Sequence, residues 1–166
     1  MKEMMNQEQL SRTLKRMTHE IIEKNTDLND LVLMGILKKG FPVAQILKNN
    51  IKQFADIDVP IYGLDITKHR DDIKKEEFKS LSLFPIDDKV VVLVDDVLFT
   101  GRSVRAAMDA LLDHGRPRRI ELAILIDRGH RELPIRADFI GKNIPTSKHE
   151  RVLVDIQKMI VSIEET

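Results

Sequence analysis

The chain has 166 residues, of which 42% are hydrophobic and 33% are charged, and its formal net charge is zero. This composition is typical of a globular chain, and any affinity for nucleic acid must come from a local patch of charge. The absence of cysteine excludes a disulfide framework and thiolate metal sites. No apolar run approaches the roughly 20 residues of a transmembrane helix, and Met1–Ser11 lacks the apolar core of a signal peptide. We therefore expect a cytoplasmic protein with a single domain over residues 1–166.

The first half of the chain alternates between helical and strand patterns. Apolar residues recur at spacings of three and four over Asn6–Asn25 and over Phe41–Phe54, which predicts two amphipathic helices. The apolar stripe of the second helix includes Phe54. Short apolar runs predict strands over Leu31–Ile36 and Val59–Ile66.

The second half begins with a segment that has no sustained period. Lys68–Asp88 is rich in charge and is predicted to be a long loop of the kind usually kept for function. The β-branched run of Lys89–Asp95 then predicts a central parallel strand, and Ser103–Asp113 predicts a helix with Ser103 as its N-cap. Further strands are predicted over Ile120–Ile126, Phe139–Ile140 and Arg151–Ile156. This alternation indicates an α/β fold with a parallel sheet, whose ligands bind at the carboxyl ends of the strands.

The most specific stretch of the sequence is Val90–Ser103, where two carboxylates, Asp95 and Asp96, end the predicted central strand. A short loop with Thr100 and Gly101 then leads into a helix, whose free backbone N–H groups form a site for an anion. The carboxylates lie at the distance of a sugar attached to that anion, where they can accept hydrogen bonds from ribose hydroxyls or hold hydrated Mg²⁺. A bare Asp-Asp pair would be an ordinary strand-to-helix turn, but the whole segment favours a ligand site.

The same segment is similar to the phosphoribosyl pyrophosphate signature of type I phosphoribosyltransferases. Three more stretches, Asp65–Asp72, Gly115–Pro117 and above all Asp127–Thr146, resemble one subfamily, the bifunctional pyrimidine operon regulators/uracil phosphoribosyltransferases. The resemblance runs from about Leu10 to Val154. It implies a type I phosphoribosyltransferase fold, in which a central parallel sheet is flanked by helices and a small hood covers the active site.

The resemblance implies a reaction of uracil with phosphoribosyl pyrophosphate that gives UMP and pyrophosphate, with Mg²⁺ neutralising the departing pyrophosphate. The residues implied to bind phosphoribosyl pyrophosphate or the nucleotide are Lys38, Lys39, Gly40, Asp95, Asp96, Val97, Leu98, Phe99, Thr100, Gly101, Arg102 and Ser103. The implied catalytic residues are Asp95, Asp96, Arg70 and Lys39, and the two aspartates would also meet Mg²⁺ through water or substrate. The base pocket is implied to lie near Asp127, Arg128 and the backbone around Ile140.

Two departures from the family pattern concern the handling of pyrophosphate. The family's loop usually reads Gly-Ile-x-Thr-Arg-Gly, whereas residues 35–40 read Gly-Ile-Leu-Lys-Lys-Gly. Lys39 keeps a positive charge without the forked geometry of arginine, and Lys38 replaces a small hydroxyl residue. The loop after Arg70 is also short for the family. These departures leave open a regulator with little or no turnover, and a phosphoribosyltransferase for another base is a further alternative.

Four basic residues, Arg12, Lys15, Arg16 and His19, fall on one face of the first predicted helix, which by itself would be an ordinary solvated face. The resemblance implies a surface that binds leader mRNA of pyrimidine genes in response to UMP or UTP and so attenuates transcription. The residues implied for this surface are Lys15, Arg16, His19, His130, Arg131, Arg136 and Lys142. With one Tyr and six Phe, base stacking on exposed rings is not expected. The family further implies a homo-oligomer, either a dimer or a larger assembly.

Overall fold

The computed structural model describes residues 1–70 and 83–166. The helices and strands of these ranges, in chain order, are β1 (Lys2–Met5), α1 (Gln7–Lys24), β2 (Leu31–Ile36), α2 (Gly40–Ala55), β3 (Ile61–Leu64), β4 (Val90–Leu98), α3 (Arg102–Leu112), β5 (Arg119–Asp127), β6 (Phe139–Asn143), β7 (Glu150–Asp155) and β8 (Ile160–Glu165). Short 3-10 turns lie at Leu28–Asp30 and Thr67–His69. No helix in the described ranges is long and apolar enough to cross a membrane.

Five strands form a parallel sheet in the order β3-β2-β4-β5-β6, so that β4 lies at its centre. The β-branched run at the start of β4 predicts this position, because a strand covered on both faces needs apolar side chains at successive residues. Val90–Val94 are all buried, with no more than 4% of any of these residues exposed. The prediction of an α/β fold around a central parallel sheet is confirmed.

Successive residues of β4 face two different hydrophobic cores, as the alternation of a strand requires. Val92 and Val94 pack in the core that contains the apolar stripes of α1 and α2. Val91 and Leu93 pack in the second core, which contains the buried face of α3. The sheet is therefore the middle layer, with two helices on one face and one helix on the other.

A second sheet of three antiparallel strands, in the order β1-β8-β7, forms a small hood. Its buried apolar residues join the core of α1 and α2, and they are Met5, Val152, Val154, Val161 and Ile163. The sequence pattern predicts β7, but it does not predict β1 or β8. Both strands are short and carry polar residues, so their period is weak, and only pairing across the hood identifies them as strands.

Several predicted boundaries shift, and one predicted cap is wrong. The N-cap of α3 is Gly101, with φ of 96°, and Ser103 lies within the first turn of the helix. The predicted cap fails because glycine tolerates the left-handed conformation in which the chain leaves the loop. Strand β4 runs three residues beyond the predicted end, because Val97 and Leu98 still pair with β5. Asp95 and Asp96 therefore belong to the strand and do not follow it.

The predicted loop Lys68–Asp88 lies partly on residues 71–82, outside the described ranges. The described residues on either side of it are attached to the C-terminal end of α3. His69 Nε2 lies 2.7 Å from Asp113 Oδ2, and the backbone N–H of Phe84 donates to Nδ1 of His114 at 3.1 Å. The ring of Phe84 also stacks on the ring of His114, with centroids 4.3 Å apart.

Candidate functional site

Two adjacent carboxylates lie near the carboxyl end of the central strand. Asp95 is buried, with 8% of the residue exposed, and its Oδ1 accepts the backbone N–H of Asp96 at 2.8 Å. Asp96 Oδ1 accepts the backbone N–H of Val97 at 2.8 Å. Burial, followed by the negative charge of Asp96, raises the pKa of Asp95 well above the usual range for aspartate. Burying such a carboxylate lowers the stability of the fold, and carboxylates with perturbed pKa values are frequent at functional sites.

The loop after β4 carries the backbone into the N-terminus of α3. Gly101 has φ of 96°, and the hydroxyl oxygen of Thr100 accepts the backbone N–H of Arg102 at 3.3 Å. The backbone N–H groups in the first turn of a helix lack helical partners and attract anions. Leu133 and Ile135 pack close to Gly101, within about 3.6 Å of the position where a Cβ atom would lie. The geometry fits the predicted phosphate site at Thr100–Ser103.

A second loop, at residues 37–39, follows β2, which is the direct neighbour of β4 in the sheet. The peptide bond between Leu37 and Lys38 is cis. The loop ends at Gly40, where a Cβ atom would lie 3.0 Å from Asp95 Cα and closer still to the carbonyl oxygen of Val94. Only glycine therefore lets α2 begin against the backbone of β4 at the level of the carboxylates.

Lys39 and Asp96 open into the same cavity, which has a volume of about 1250 Å³. Its walls are the N-terminal half of α2, including Pro42 and Ile46, and the hood strands β7 and β8 with their connection. Lys38 is exposed but does not line this cavity. Of the two lysines that replace Thr-Arg in the family pattern, Lys39 is thus the one placed on the same side as a predicted catalytic carboxylate.

Arg70 follows His69, whose ring is paired with Asp113 after the last turn of α3. The helix begins at the phosphate loop and has 11 residues, so its two ends lie about 16 Å apart. The predicted catalytic role of Arg70 stays a prediction.

Asp127 and Ile140, both predicted near the base, lie at different levels of the sheet. Asp127 is at the carboxyl end of β5, paired with Asn143, and its Oδ1 accepts the backbone N–H of Gly129 at 2.9 Å. Ile140 pairs with Ile124, three residues earlier along both strands. At about 3.3 Å per residue, the backbone of Ile140 lies roughly 10 Å below the level of Asp127. Asp95 pairs with Ile124, so the backbone of Ile140 lies level with Asp95 two strands away, whereas Asp127 lies three residues farther toward the carboxyl edge of the sheet.

The phosphoribosyl transferase domain family matches residues 2–157 of the chain. Relatives include the bifunctional protein pyrR of Enterococcus faecalis (strain ATCC 47077 / OG1RF), which is 54% identical over 161 residues, with 95% of this chain and 90% of that protein covered. The bifunctional protein PyrR of Streptococcus thermophilus is 51% identical over 153 residues, with 92% and 88% covered. The chain belongs to the PyrR family.

Solved structures agree with this PyrR assignment at the level of the fold. The hypoxanthine phosphoribosyltransferase of Trypanosoma cruzi has a TM-score of 0.76 at 19% identity, with 99% of this chain and 97% of that chain covered. A hypoxanthine-guanine phosphoribosyltransferase of Bacillus anthracis has a TM-score of 0.71 at 23% identity, with 87% and 83% covered. The expected type I phosphoribosyltransferase fold is confirmed.

Arg128 connects the hood to Val90–Ser103, the stretch predicted to bind nucleotide, which we call the nucleotide segment. Its Nε donates to the hydroxyl oxygen of Thr146 at 2.9 Å, and its NH2 group donates to the carbonyl oxygens of Ser147, at 3.2 Å, and Glu150. Its guanidinium also lies over the ring of Phe99, 3.9 Å from the centroid. Burial lowers the pKa of Arg128 from the usual value of arginine. The guanidinium of Arg128, which is predicted to lie near the base, thus uses its hydrogen bonds to hold the segment from Thr146 to Glu150 in place.

The sequence does not predict the contacts that residues 132 and 133 make with the loop at Thr100 and Gly101. The Thr100 carbonyl oxygen accepts the backbone N–H groups of Glu132 and Leu133, at 2.9 and 3.3 Å. The Glu132 carboxylate lies 3.1 Å from Arg102 Nε. The block Asp127–Thr146 supports the resemblance, but its sequence contains no local signal that it packs on this loop.

One of the candidate RNA residues of α1, Arg16, lies next to β6. Arg16 donates to the carbonyl oxygens of Ile140, at 3.2 Å, and Gly141, and it pairs with Glu20 at 2.7 Å. Arg12, Arg16 and Lys142 line one cleft of about 440 Å³. The structure therefore joins the basic face of α1 to one residue of the second basic group.

The other candidate RNA residues are distributed around this edge of the molecule. His130 Nε2 donates to the Thr146 carbonyl oxygen, and its ring meets the edge of Phe99 at a centroid distance of 5.3 Å. Arg131 reaches the Ile135 carbonyl oxygen at 3.4 Å, and Arg136 is exposed. Neither His130 nor Arg131 lines the cleft of Arg16 and Lys142.

Proposed function

We propose that the chain transfers the phosphoribosyl group of phosphoribosyl pyrophosphate to uracil, giving UMP and pyrophosphate, and that it also binds leader mRNA of pyrimidine genes in response to uridine nucleotides. The observation that carries the enzymatic half is the meeting of two loops at neighbouring strands. Asp95 and Asp96 near the end of β4, the anion site at the start of α3 and the Lys39 loop after β2 all lie at one edge of the sheet. Family membership supports the regulatory half. The proposed form is a one-domain cytoplasmic homo-oligomer.

The proposed roles follow from the chemistry of each group. The backbone N–H groups and hydroxyls of Thr100–Ser103 hold the 5′-phosphate. Asp95 and Asp96 accept hydrogen bonds from the ribose hydroxyls and stabilise positive charge that develops at the anomeric carbon. The uracil N1 atom forms the new bond to that carbon as the bond to the pyrophosphate oxygen breaks, and the proton of N1 passes to the departing pyrophosphate. No covalent nucleophile from the chain is needed.

The donor set at this site fits Mg²⁺ that is shared with a substrate. Among residues 1–70 and 83–166, no group of three or more His, Asp or Glu side chains is placed to hold a metal by itself. Mg²⁺ commonly takes one or two carboxylates and fills its remaining positions with water and substrate phosphates. Asp95 and Asp96 would supply those carboxylates, and the ion would neutralise charge on the pyrophosphate. Lys39 adds a positive charge in the same cavity.

The enzymatic proposal is tested by turnover of labelled uracil with phosphoribosyl pyrophosphate and Mg²⁺. Asp96→Asn should lower the rate by about 10²- to 10³-fold, because it removes a charge aimed at the reacting carbon while keeping the shape of the side chain. Leu112→Ala, on the exposed side of α3, is the matched control and should keep the wild-type rate. Wild-type turnover no faster than that of Asp96→Asn would contradict the proposed phosphoribosyltransferase activity.

A second candidate function is a regulator that binds nucleotide and RNA with little turnover. The observation that favours it is the loop at residues 37–39, where a lysine replaces the forked arginine of the family pattern. UMP binding measured by calorimetry, together with turnover near background, would support this candidate. Hypoxanthine and guanine assayed in parallel test the alternative of another base.

A further inference from the structure

An exposed pair of rings lies where the C-terminal half of α1 meets the last turn of α2. The rings of His19 and Phe54 are stacked, with centroids 4.5 Å apart and planes 26° from parallel. Phe54 is 38% exposed, and His19 is exposed as well. Base stacking is not expected from the few aromatic residues of the sequence, but the exposed ring of Phe54 gives the chain a surface on which a base can stack.

The rest of the apolar stripe of α2 is fully buried, with Val43, Leu47 and Ile51 at 0% exposure. Phe54 points in the same direction as the stripe, because it follows Val43 by 11 residues and so lies about 20° from it around the helix axis. It is exposed because it lies in the last turn of α2, where one side of the ring meets His19 and another meets solvent.

The ring pair is held in place by polar contacts of both helices. Thr18, the residue before His19, donates to the carbonyl oxygen of Leu14 at 2.7 Å, and its hydroxyl oxygen accepts from Asn50 Nδ2 at 3.2 Å. Asn50 lies one turn before Phe54 on α2. The rings are therefore pre-organised, and the entropy cost of ordering flexible side chains when a ligand stacks on them is small.

Positive charge lies beside the ring pair on α1. Lys15 is exposed and lies one turn before His19 on the same face. Arg16 is adjacent in sequence and lines the cleft shared with Arg12 and Lys142. An aromatic surface beside a row of cations matches the chemistry of single-stranded RNA, in which a base presents a π-face and its phosphate a negative charge.

We propose that His19 and Phe54 form a stacking platform for an unpaired base of the bound RNA, and that Lys15 and Arg16 contact the phosphates beside that base. This inference rests on the proposed RNA-binding function and deepens it. The platform selects an unpaired base, because a base inside a duplex keeps its faces stacked on its neighbours. RNA with an unpaired loop is thus the preferred partner over a continuous duplex.

The test compares two replacements of Phe54, one that removes the ring and one that keeps it. Phe54→Leu keeps an apolar side chain but removes the ring, and Phe54→Tyr keeps the ring; Leu112→Ala is the control for loss of an exposed apolar side chain elsewhere. The probe is a pyrimidine-gene leader hairpin with 2-aminopurine at successive unpaired positions, titrated with UMP present. Phe54→Leu should weaken binding by about 5- to 100-fold, the usual worth of one stacked base, and should abolish quenching at one probe position. Phe54→Tyr and Leu112→Ala should bind like the wild type.

The salt dependence separates stacking from charge. Phe54→Leu should leave the slope of log affinity against log salt unchanged, whereas Lys15→Ala should reduce its magnitude by about 0.7, the value for one phosphate of a single strand. A fully paired duplex of the same stem should bind Phe54→Leu and wild type equally, and melting curves check that each variant is folded. Equal binding of the hairpin by wild type and a folded Phe54→Leu overturns the platform alone. Wild-type affinity for the leader no greater than for an unrelated hairpin overturns the proposed RNA function itself, and the platform with it.

Discussion

At the scale of single residues, the buried carboxylate of Asp95 lowers the stability of the fold and places an acidic group at the proposed reaction site. The carboxyl group is almost fully removed from water and lies beside a second carboxylate, and both factors raise its pKa. The backbone N–H of Asp96, which donates to Asp95 Oδ1, lowers the pKa but does not offset these two factors. A residue kept purely for packing would avoid this position, so its presence is consistent with the proposed role beside the ribose.

Asp95→Asn should therefore stabilise the protein at neutral pH while lowering turnover. An acid whose folded pKa is raised contributes stability that is fully present below its unfolded value, 3.8, and is lost as the pH rises through the folded value. The asparagine variant never acquires that charge, and its Oδ1 can still accept the Asp96 N–H. Urea denaturation should show a higher midpoint for the variant at pH 7 and a shrinking difference as the pH approaches 3.8. A variant less stable than wild type at pH 7 would contradict this account.

At the scale of elements, the site depends on how closely α2 approaches β4. The helix starts at Gly40, directly against the backbone of Val94 and Asp95, and this contact fixes the Lys39 loop beside the carboxylates. A periodicity argument predicts the helix and the strand separately. It does not predict their contact, because backbone proximity depends on the sheet order that places β2 next to β4.

Gly40→Ala should cost about 2–4 kcal/mol of unfolding free energy, since the added methyl group forces the helix away from the strand. Gly129→Ala is the comparison: a Cβ there meets nothing within 4 Å, and only its φ of 84° is unfavourable, so about 1 kcal/mol is expected. Denaturant titration of both variants measures the difference. The apparent KM for phosphoribosyl pyrophosphate should rise more in the Gly40 variant than that for uracil. Equal stability losses would show that the approach of α2 is not tight.

At the scale of the whole molecule, the nucleotide segment is in contact with one of the candidate RNA residues, His130. Phe99 of the nucleotide segment touches both Arg128 and His130, and both of these side chains hydrogen-bond to Thr146. A nucleotide that moves Phe99 would therefore act on His130 through direct contacts. This arrangement offers a short physical route between the two proposed functions.

UMP should tighten binding of a pyrimidine-gene leader transcript, and by linkage the transcript should tighten UMP binding by the same factor. A Phe99→Leu variant should bind each ligand but show a smaller factor, because it loses the ring that meets His130. Titrations of each ligand with and without the other measure the two factors, and an unrelated hairpin serves as the control RNA. Unequal factors would indicate that RNA and nucleotide bind different assemblies, and a factor of one would remove the coupling.

The sequence by itself determines the α/β class, the central strand, the carboxylate pair and the loop that leads into α3, because these features are local in the chain and have strong periods or distinctive residues. Only the tertiary structure decides which distant segments meet. It pairs β1 with β8 to build the hood, commits Arg128 to Thr146 and Glu150, and sets the register in which Ile140 lies level with Asp95. It also exposes Phe54, which the helical stripe assigns to the core. The physical reason is that a period describes which face of an element is apolar, whereas the packing of elements decides where that face ends.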